Sequence, residues 1–373
     1  MKKETKHILF HDFLIEKGGG ERVISVLSKH FKASIVTWFY NKNLTYSDLV
    51  NAKIFYQKNF LNQLLSKISI LKLFKTSLFF AKQLKKFANF FNENFDVAIF
   101  SGFYTMFFAK FLNIPKIYYI QAEPLTYVLE RESYKKNYLT KIYKLIHRLY
   151  FKKLEKEGIL SMDKIIANSI YTKKVYEEYF GVNVKNVIYP PVETRKFYFK
   201  KYGDFFLMVS RLYPHKRVHI VAKTFAKLPD YKLVIVGTGP LSKYIRKLSL
   251  KYNNITYLGG VTEEKLIELY ATCKAVIYIS EKEHFGIIPI EANASGKPAI
   301  VSNEGGLPET IIDGKTGIII NPPYEKSLME TILTFDENKF KTFDCIKNSK
   351  RFDVYIFIEK FEKVINKIIA NAV

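Results

Sequence analysis

The sequence contains little cysteine and no long apolar segment. Its two cysteines, Cys273 and Cys345, have no metal-ligand spacing around them, which favours a reduced, cytoplasmic setting. No uncharged apolar stretch of about eighteen residues occurs, so we predict no membrane-spanning helix. The first residues, MKKETKHILFHDF, contain only a short, interrupted apolar run. They predict a first β-strand rather than a secretion signal.

Arginine is scarce although the chain is strongly basic. The net charge is +24, from 59 lysines and arginines against 35 acids, but only eight of the cations are arginine. Proteins that read nucleic acids depend on the bidentate guanidinium of arginine. Because no patch interleaves arginine with aromatic residues, we expect no nucleic-acid partner.

Acidic residues are absent from one basic segment, between Asp48 and Glu93. It contains eight lysines: Lys53, Lys58, Lys67, Lys72, Lys75, Lys82, Lys85 and Lys86. If residues 60–91 form a helix, the last six share a face of about 140°, mostly opposite leucine and phenylalanine side chains. Such a helix can lie on an anionic membrane surface. The alternative is a solvated face of a helix that packs on its own domain.

Short apolar runs alternate with longer amphipathic segments along the chain. The predicted strands are 7–13, 34–39, 97–102, 116–121, 164–169, 187–192, 205–211, 232–239, 255–260, 275–280 and 299–303. The predicted helices are 20–30, 138–157, 170–180, 217–227, 241–252, 263–272 and 287–295. This alternation predicts an α/β protein with parallel sheets.

The run PPVETRKFYFKKYGD at 190–204 interrupts the periodicity with prolines, charges and a glycine. It divides the chain into two Rossmann-like domains, 1–195 and 196–349. A terminal helix at 350–373 is expected to pack back toward the first domain. Ligands of such sheets bind at the carboxyl ends of the strands, so we expect a site in a cleft where the two domains face each other.

Four loops that follow predicted strands contain candidate binding residues. GGG at 18–20 opens a helix after the first strand, where backbone amides can approach an anion, and a merely tight turn is the alternative. SRLYPHKRVH at 210–219 brings two cations, Arg211 and Lys216, to the end of one strand; a solvated basic turn is the alternative. GTGP at 237–240 is interpreted as a tight strand–helix turn.

The fourth loop, EHFGIIPIE at 283–291, has two carboxylates with seven residues between them. Gly286 permits a turn, and the residues after it begin a helix that contains Glu291. We expect both glutamates to face one ligand rather than each other. Carboxylates accept hydrogen bonds from sugar and ribose hydroxyl groups.

Taken together, GGGERV, SRLYPHKR, VGTGP, SEKEHFGIIPIEANASGKPAIVS, GGLPE and DGKTGIIINP resemble the retaining glycosyltransferases of family 4, which have the GT-B fold. The resemblance covers 205–322 and the region around 8–31, and it is loose over 32–200. It implies two Rossmann-like domains, an N-terminal one for the acceptor and a C-terminal one for a nucleotide sugar.

The resemblance also implies roles for individual residues. Gly19 and Gly20 would shape the acceptor side and approach the donor diphosphate. Arg211 and Lys216 would neutralise the leaving nucleoside diphosphate, so neither a metal nor a cofactor is required. Glu283 would bind the transferred sugar and Glu291 the ribose. The backbone amides of Phe285, Gly286, Ile287 and Ile288 would stabilise the phosphates.

One position departs from the family pattern. The family often carries a histidine after the strand that corresponds to KIYYIQ, whereas this chain has YYIQAEPLTY. Gln121 and Glu123 are therefore the candidate acceptor-side residues.

We thus expect a retaining hexosyltransferase that moves mannose or glucose from a GDP- or UDP-sugar. The expected acceptor is a lipid-linked glycan at the inner face of the cell membrane, with the enzyme cytoplasmic and peripheral; a soluble acceptor is the alternative. A nucleotide-dependent oxidoreductase would need an intact dinucleotide fingerprint, which neither glycine loop supplies. A non-catalytic membrane scaffold would need none of the four charged residues at 211, 216, 283 and 291.

Overall fold

The structure is a computed structural model that describes residues 5–55, 82–127 and 150–371. The chain divides into two compact units, which are unit 1 (Met1–Tyr189 with Ile358–Val373) and unit 2 (Pro190–Phe357). The sequence predicts a boundary after residue 195, and the structure places it after Tyr189. The last helix begins in unit 2 and ends in unit 1.

Unit 1 contains a seven-stranded sheet with the order β3-β2-β1-β4-β5-β6-β7, all parallel. The strands are β1 His7–Leu14, β2 Ser34–Tyr40, β3 Ile54–Phe55, β4 Val97–Ser101, β5 Lys116–Ile120, β6 Lys164–Ala167 and β7 Asn186–Val187. The α-helices are α1 Gly19–Phe31, α2 Ala88–Asn94 and α3 Ile170–Phe180, and residues 150–160 are also helical. Two 3-10 helices span Ser47–Asn51 and Thr105–Phe111.

Unit 2 contains a six-stranded parallel sheet with the order β10-β9-β8-β11-β12-β13. The strands are β8 Phe205–Val209, β9 Lys232–Val236, β10 Ile255–Gly259, β11 Ala275–Tyr278, β12 Ala299–Ser302 and β13 Gly317–Ile320. The helices are α4 Val218–Ala226, α5 Ser242–Lys251, α6 Glu263–Thr272, α7 Ile288–Ala294, α8 Tyr324–Leu333, α9 Thr342–Ser349 and α10 Val354–Ala370. Short 3-10 helices span Thr194–Lys196, Pro214–Lys216, Leu307–Glu309, Glu337–Lys339 and Lys350–Phe352.

Both faces of the unit 2 sheet are buried, which explains why its strands are continuous apolar runs. Along β8, Phe206 and Met208 belong to one apolar cluster, whereas Leu207 and Val209 belong to a second. Successive side chains of a strand point to opposite faces of the sheet, so the two clusters lie on the two faces. A parallel sheet covered by helices on both faces gives this pattern, and the predicted fold class is confirmed in this respect.

Two local predictions are wrong. The strand predicted at 187–192 ends at Val187, because Pro190 and Pro191 have no amide hydrogen with which to continue the ladder. A continuous helix over 60–91 is also wrong: residues 82–85 are helical, 86–87 form a turn, and α2 begins at Ala88. Most of the basic segment lies outside the described residues, as does most of the predicted helix 138–157. The sequence prediction also missed β3, β13, α8 and α9.

The segment before β8 is held to unit 2 by a buried lysine. Lys297 is fully buried, and its ammonium nitrogen lies 4.2 Å from the ring centroids of both Phe199 and Tyr202. The same nitrogen donates a hydrogen bond to the backbone carbonyl of Lys201. Burial lowers the pKa of Lys297 to about 8. The contact therefore contributes a pH-dependent term to the stability of this unit.

We predict that replacing Lys297 by methionine removes this term. The folded-state pKa of Lys297 lies below that of the unfolded chain, so between pH 8 and 10.5 the unfolded state binds more protons and the wild-type protein gains stability as pH rises. The gain is about 1.4 kcal/mol for each unit between the two pKa values. Thermal unfolding from pH 7 to 10 should therefore show a difference, wild type minus Lys297→Met, that increases with pH. The exposed Lys247→Met control should show a constant difference. A constant difference for Lys297→Met as well would contradict this role.

Candidate functional site

A buried lysine and a glutamate form an ion pair in unit 2, at the carboxyl end of its sheet. Lys216 ends the short 3-10 helix that follows β8, and its side chain is 9 % exposed. Its ammonium group donates a hydrogen bond to the carboxylate of Glu283, in the loop that follows β11. The hydroxyl of Tyr278 lies 3.1 Å from both the lysine nitrogen and the carboxylate oxygen Oε2. Three polar groups are thus held together, with Lys216 and Tyr278 buried and Glu283 partly buried.

The pKa values of this cluster show which charges dominate it. Burial raises the pKa of Glu283, but the adjacent Lys216 ammonium outweighs burial, and the pKa lies below its usual value. Burial and the charge of Glu283 raise the pKa of Tyr278 well above its usual value. Arg211 and Glu291 also act electrostatically on Tyr278. Lys216 and Glu283 thus contact Tyr278 directly, while Arg211 and Glu291 act on it through their charges.

Arg211 lies on a loop that is fixed to the GTGP turn by backbone hydrogen bonds. The amide of Ser210 donates to Val236, and the amide of Leu212 donates to Thr238. Gly237 has a φ of +129°, and a Cβ atom there would lie 1.8 Å from the carbonyl oxygen of Ser210. The tight-turn interpretation of GTGP is confirmed, and the turn also positions the loop of Arg211.

The side chain of Arg211 is exposed, unlike that of Lys216. Next to it, the buried hydroxyl of Ser210 has no hydrogen-bond partner within the described residues. Buried polar groups are nearly always hydrogen-bonded, so this hydroxyl is a candidate donor to a bound ligand.

The Gly-Gly loop after β12 supports the backbone of Glu283. The amide of Gly306 donates a 2.7 Å hydrogen bond to the carbonyl of Glu283. Gly305 has a φ of +62°, and a Cβ atom there would lie 2.1 Å from the same carbonyl oxygen. Only glycine allows the two loops to approach this closely.

Glu291 lies in the first turn of α7 and is 4 % exposed. The hydroxyl of Tyr270 donates a 2.8 Å hydrogen bond to its Oε2 atom. Before the helix, Gly286 has a φ of +90°, and the buried ring of Phe285 lies 5.5 Å from the ring of Phe352. The turn thus leads into α7, whose first amides have no acceptor within the helix.

A second ionic group, which was not predicted from the sequence, lies next to the first. Arg217 donates a 2.7 Å hydrogen bond to Glu304, and Tyr324 donates to the same carboxylate at 2.8 Å. The other carboxylate oxygen accepts a hydrogen bond from the amide of Lys282 at 3.2 Å. This group therefore links the loop of Lys216 to the loop of Glu283.

Unit 1 contains its own cavity, at the carboxyl ends of β1, β4 and β5. Its volume is about 190 Å³, and its lining includes His11, Gly20, Ser101 and Gln121. The side-chain amide of Gln121 donates to the hydroxyl of Ser101 and, at 3.4 Å, to the carbonyl of Gly20. Two residues predicted from the sequence, Gly20 and Gln121, are thus brought together. Gly19 begins α1 beside them.

The two polar residues at the end of β1 have different environments. His11 Nδ1 is hydrogen-bonded to the carbonyl of Ser101, and burial lowers the pKa of His11 to about 4, so the ring is neutral at pH 7. Asp12 accepts hydrogen bonds from the amides of Phe103, Tyr104 and Thr105, at the start of a 3-10 helix. Burial raises the pKa of Asp12 to about 6.

Glu123 is not part of this cavity. It is 2 % exposed, accepts a hydrogen bond from the hydroxyl of Tyr171, and is absent from the residues that line the cavity. The side chain of Glu123 is instead buried against α3. Glu123 thus lies away from this cavity, and its assignment as an acceptor-side residue stays a prediction.

Sequence reasoning missed Tyr278, Tyr270, Ser210, His11 and Asp12 as members of these groups. Each lies within or next to an apolar run, where tyrosine or histidine is also a common core residue. Their position in the sequence could have identified them as candidates, because all of these residues except Tyr270 lie at or near the carboxyl end of a strand.

No cluster of three or more histidine, cysteine, aspartate or glutamate side chains suited to a metal occurs among residues 5–55, 82–127 and 150–371. Over the same ranges, no helix has the length and apolar character needed to cross a membrane.

Comparison with known proteins relates part of the chain to a family. Residues 193–352 match the model of the family described as glycosyl transferases group 1. The O-antigen chain mannosyltransferase RfbU of Salmonella typhimurium is 31 % identical over 201 residues, which are 52 % of this chain and 56 % of that protein. The α-1,3/1,6-mannosyltransferase ALG2 of Dictyostelium discoideum is 26 % identical over 230 residues, 49 % and 55 % of the two chains. The chain thus spans about half the length of these curated relatives.

The fold is shared with solved structures over nearly the whole chain. The Anabaena protein Alr3699/HepE, crystallised with UDP-glucose, has a TM-score of 0.71 at 18 % identity, covering 97 % of this chain and 99 % of that one. Such a likeness establishes the fold alone, and that fold is GT-B. The predicted resemblance to glycosyltransferases is confirmed over residues 193–352, which match the model of the group 1 family. Its assignment to family 4 stays a prediction.

We predict that Gly305→Ala destabilises the protein more than Gly314→Ala does. Both glycines have a positive φ, so alanine costs about 1 kcal/mol at either position. Only at Gly305 does the new Cβ atom overlap the backbone of Glu283, whereas nothing lies within 4 Å at Gly314. The overlap should add about 1–3 kcal/mol, which thermal unfolding of both variants measures. Equal losses would show that the Gly-Gly loop does not support Glu283.

Proposed function

We propose that this protein is a retaining glycosyltransferase that moves a hexose from a nucleoside diphosphate sugar to an acceptor hydroxyl. The observation that carries the proposal is the grouping of Arg211, Lys216, Glu283 and Glu291 around Tyr278. These residues lie within 193–352, the range that matches the glycosyltransferase family. The whole-chain activity goes beyond that range and is part of the proposal.

The two cations suit a departing diphosphate. Arg211 is exposed to solvent. Lys216, five residues later in the chain, is buried and is held in place by Glu283 and Tyr278. When the bond from the sugar C1 to phosphate breaks, negative charge develops on the phosphate oxygen, and fixed cations stabilise it. The unpaired hydroxyl of Ser210 supplies a further donor. Stabilisation by these groups requires no metal.

The two glutamates suit hydroxyl groups on either side of the diphosphate. Glu283 has a low pKa and so stays ionised at neutral pH, where a carboxylate accepts hydrogen bonds from the transferred sugar. Glu291 is oriented by Tyr270 and would accept from the ribose. The amides of residues 285–288, at the start of α7, would point their partial positive charge toward the phosphates.

Retention follows from attack on the same face that the diphosphate leaves. The bond between C1 and the phosphate oxygen breaks first, which gives an oxocarbenium-like state. The acceptor oxygen then bonds to C1 while its proton passes to the departing phosphate oxygen. In unit 1, Gly19, Gly20 and Gln121 would shape the acceptor position, with neutral His11 as an additional hydrogen-bonding group.

The identity of the hexose and the acceptor belongs to the proposal as well. Mannose is favoured by RfbU and ALG2, whose names state mannosyltransferases, and glucose by the UDP-glucose complex of HepE. We propose a lipid-linked glycan at the inner membrane face as acceptor, with a soluble acceptor as the alternative. A non-catalytic membrane scaffold would leave the buried ion pair of Lys216 and Glu283 without a role.

The described end of the basic segment supports a membrane-surface location. Lys82, Lys85 and Lys86 are exposed, and the neighbouring rings of Phe87 and Phe90 are 56 % and 41 % exposed. Their apolar neighbours Leu84, Ala88 and Phe91 are buried in the core of unit 1. The segment thus packs on its own unit by one face and presents cations and two aromatic rings on the other.

We predict that Lys216→Ala lowers kcat for hexose transfer by about 10²- to 10³-fold with a smaller change in KM, and that Arg211→Ala acts in the same direction. Their contacts strengthen as charge develops in the transition state, so mainly turnover is lost. Steady-state assays with GDP-mannose and UDP-glucose measure both constants, with exposed Arg246→Ala as the control. The rate should persist in chelator. Unchanged turnover in both variants would rule out the diphosphate role.

We also predict that flotation with vesicles depends on the exposed lysines at 82–86. Replacing Lys82, Lys85 and Lys86 by glutamine should weaken binding to anionic vesicles at least tenfold, since each lysine near such a surface contributes about 1 kcal/mol. Replacing three exposed lysines of unit 2, Lys243, Lys247 and Lys339, provides the matched control. Binding of wild type should fall as salt rises. Equal recovery with neutral vesicles at any salt would dismiss the membrane location.

A further inference from the structure

A larger cavity lies at the amino-terminal ends of the unit 1 strands, whereas the cavity lined by His11 lies at their carboxyl ends. Its volume is about 580 Å³, and it is lined by residues of 159–165, 181–186 and 363–367. The first two ranges lead directly into β6 and β7, so the cavity lies at the amino-terminal ends of these parallel strands. His11, Ser101 and Gln121 lie at the carboxyl ends. This cavity is therefore separate from the acceptor side of the proposed reaction.

Four lysines line this cavity: Lys164, Lys185, Lys363 and Lys367. Its one acidic lining residue, Asp163, is already neutralised from outside the cavity. The carboxylate of Asp163 accepts a 2.8 Å hydrogen bond from the amide of Lys116 and lies 3.6 Å from the Lys116 ammonium. Lys363 pairs with Glu359 at 2.6 Å, one turn earlier on α10.

The other three lysines form no ion pair within the described part of the chain. They are Lys164 at the first position of β6, Lys185 directly before β7, and Lys367 one turn after Lys363. Ammonium groups that line one cavity favour a bound anion, because a single anion can interact with several of them at once.

The floor of the cavity is apolar. Ile159 and Val182 are buried there, and Leu160 at the rim is 63 % exposed. An inorganic anion would satisfy the lysines but leave this apolar surface uncovered. A ligand with both an anionic and an apolar part would cover both, because apolar burial contributes roughly 25 cal/mol per Å².

We propose that this cavity binds a phosphate ester that carries an apolar substituent. The phosphate would lie among the ammonium groups of Lys164, Lys185 and Lys367, and the substituent would lie against Ile159, Leu160 and Val182. Both an anionic phospholipid and a free alkyl phosphate have this chemistry. The site does not depend on the glycosyltransferase reaction.

The test is direct titration of the full chain with hexyl phosphate, at low salt. All proteins carry Lys216→Ala, so that the phosphate-binding cations proposed for unit 2 do not contribute fully. The cavity variant adds Lys164→Gln, Lys185→Gln and Lys367→Gln; the matched control adds Lys243→Gln, Lys247→Gln and Lys339→Gln. The cavity variant should bind hexyl phosphate at least tenfold more weakly than the control. Equal affinities, or no saturable binding by the parent protein, would overturn the proposal.

A second measurement distinguishes the two sources of the ligand. The same proteins are floated with vesicles of phosphatidylglycerol in phosphatidylcholine. If the cavity variant loses at least tenfold more vesicle binding than the control, the ligand is a membrane phospholipid. If the two variants float equally while hexyl phosphate binding differs, the ligand is a soluble ester. Because the replaced lysines are exposed or half-buried, thermal unfolding should show both variants folded, and Lys367→Glu alone provides a second, charge-reversed variant.

Discussion

The arrangement of unit 2 around its site depends on one buried ion pair, between Lys216 and Glu283. Removing two charges from water costs several kcal/mol each, and the cost is recovered only when the geometry and the additional hydrogen bonds are good. Tyr278 supplies those bonds, since its hydroxyl lies 3.1 Å from both partners. Here the ion pair holds the ammonium group of Lys216 in one position, close to the carboxyl end of β8.

Three loops depend on that pair. The amide of Glu281 donates a 2.8 Å hydrogen bond to the carbonyl of His215, which joins the loop after β11 to the loop after β8. Gly306 joins the loop after β12 to Glu283, and the group of Arg217, Glu304 and Tyr324 encloses the same region. A diphosphate placed there would meet cations that are already oriented, so little reorganisation accompanies the developing charge.

Much of this was predictable from the sequence, for a physical reason. Strands buried on both faces are short apolar runs, so both sheets could be found, and Arg211, Lys216 and Glu283 could be assigned to strand ends. The failures are equally physical. VIYPPV is apolar but cannot form a ladder through two prolines, so β7 ends at Val187. Tyr278 lies in the mostly apolar run AVIYIS, where a tyrosine is also a common core residue. Only the structure shows that the Tyr278 hydroxyl contacts Lys216 and Glu283.

The most direct measurement is a crystal structure of the full chain with a bound nucleoside diphosphate. The account predicts phosphate oxygens within about 3.5 Å of the Arg211 guanidinium and the Lys216 ammonium, and the ribose at Glu291. A diphosphate that is ordered elsewhere in unit 2, with neither cation in contact, would contradict it.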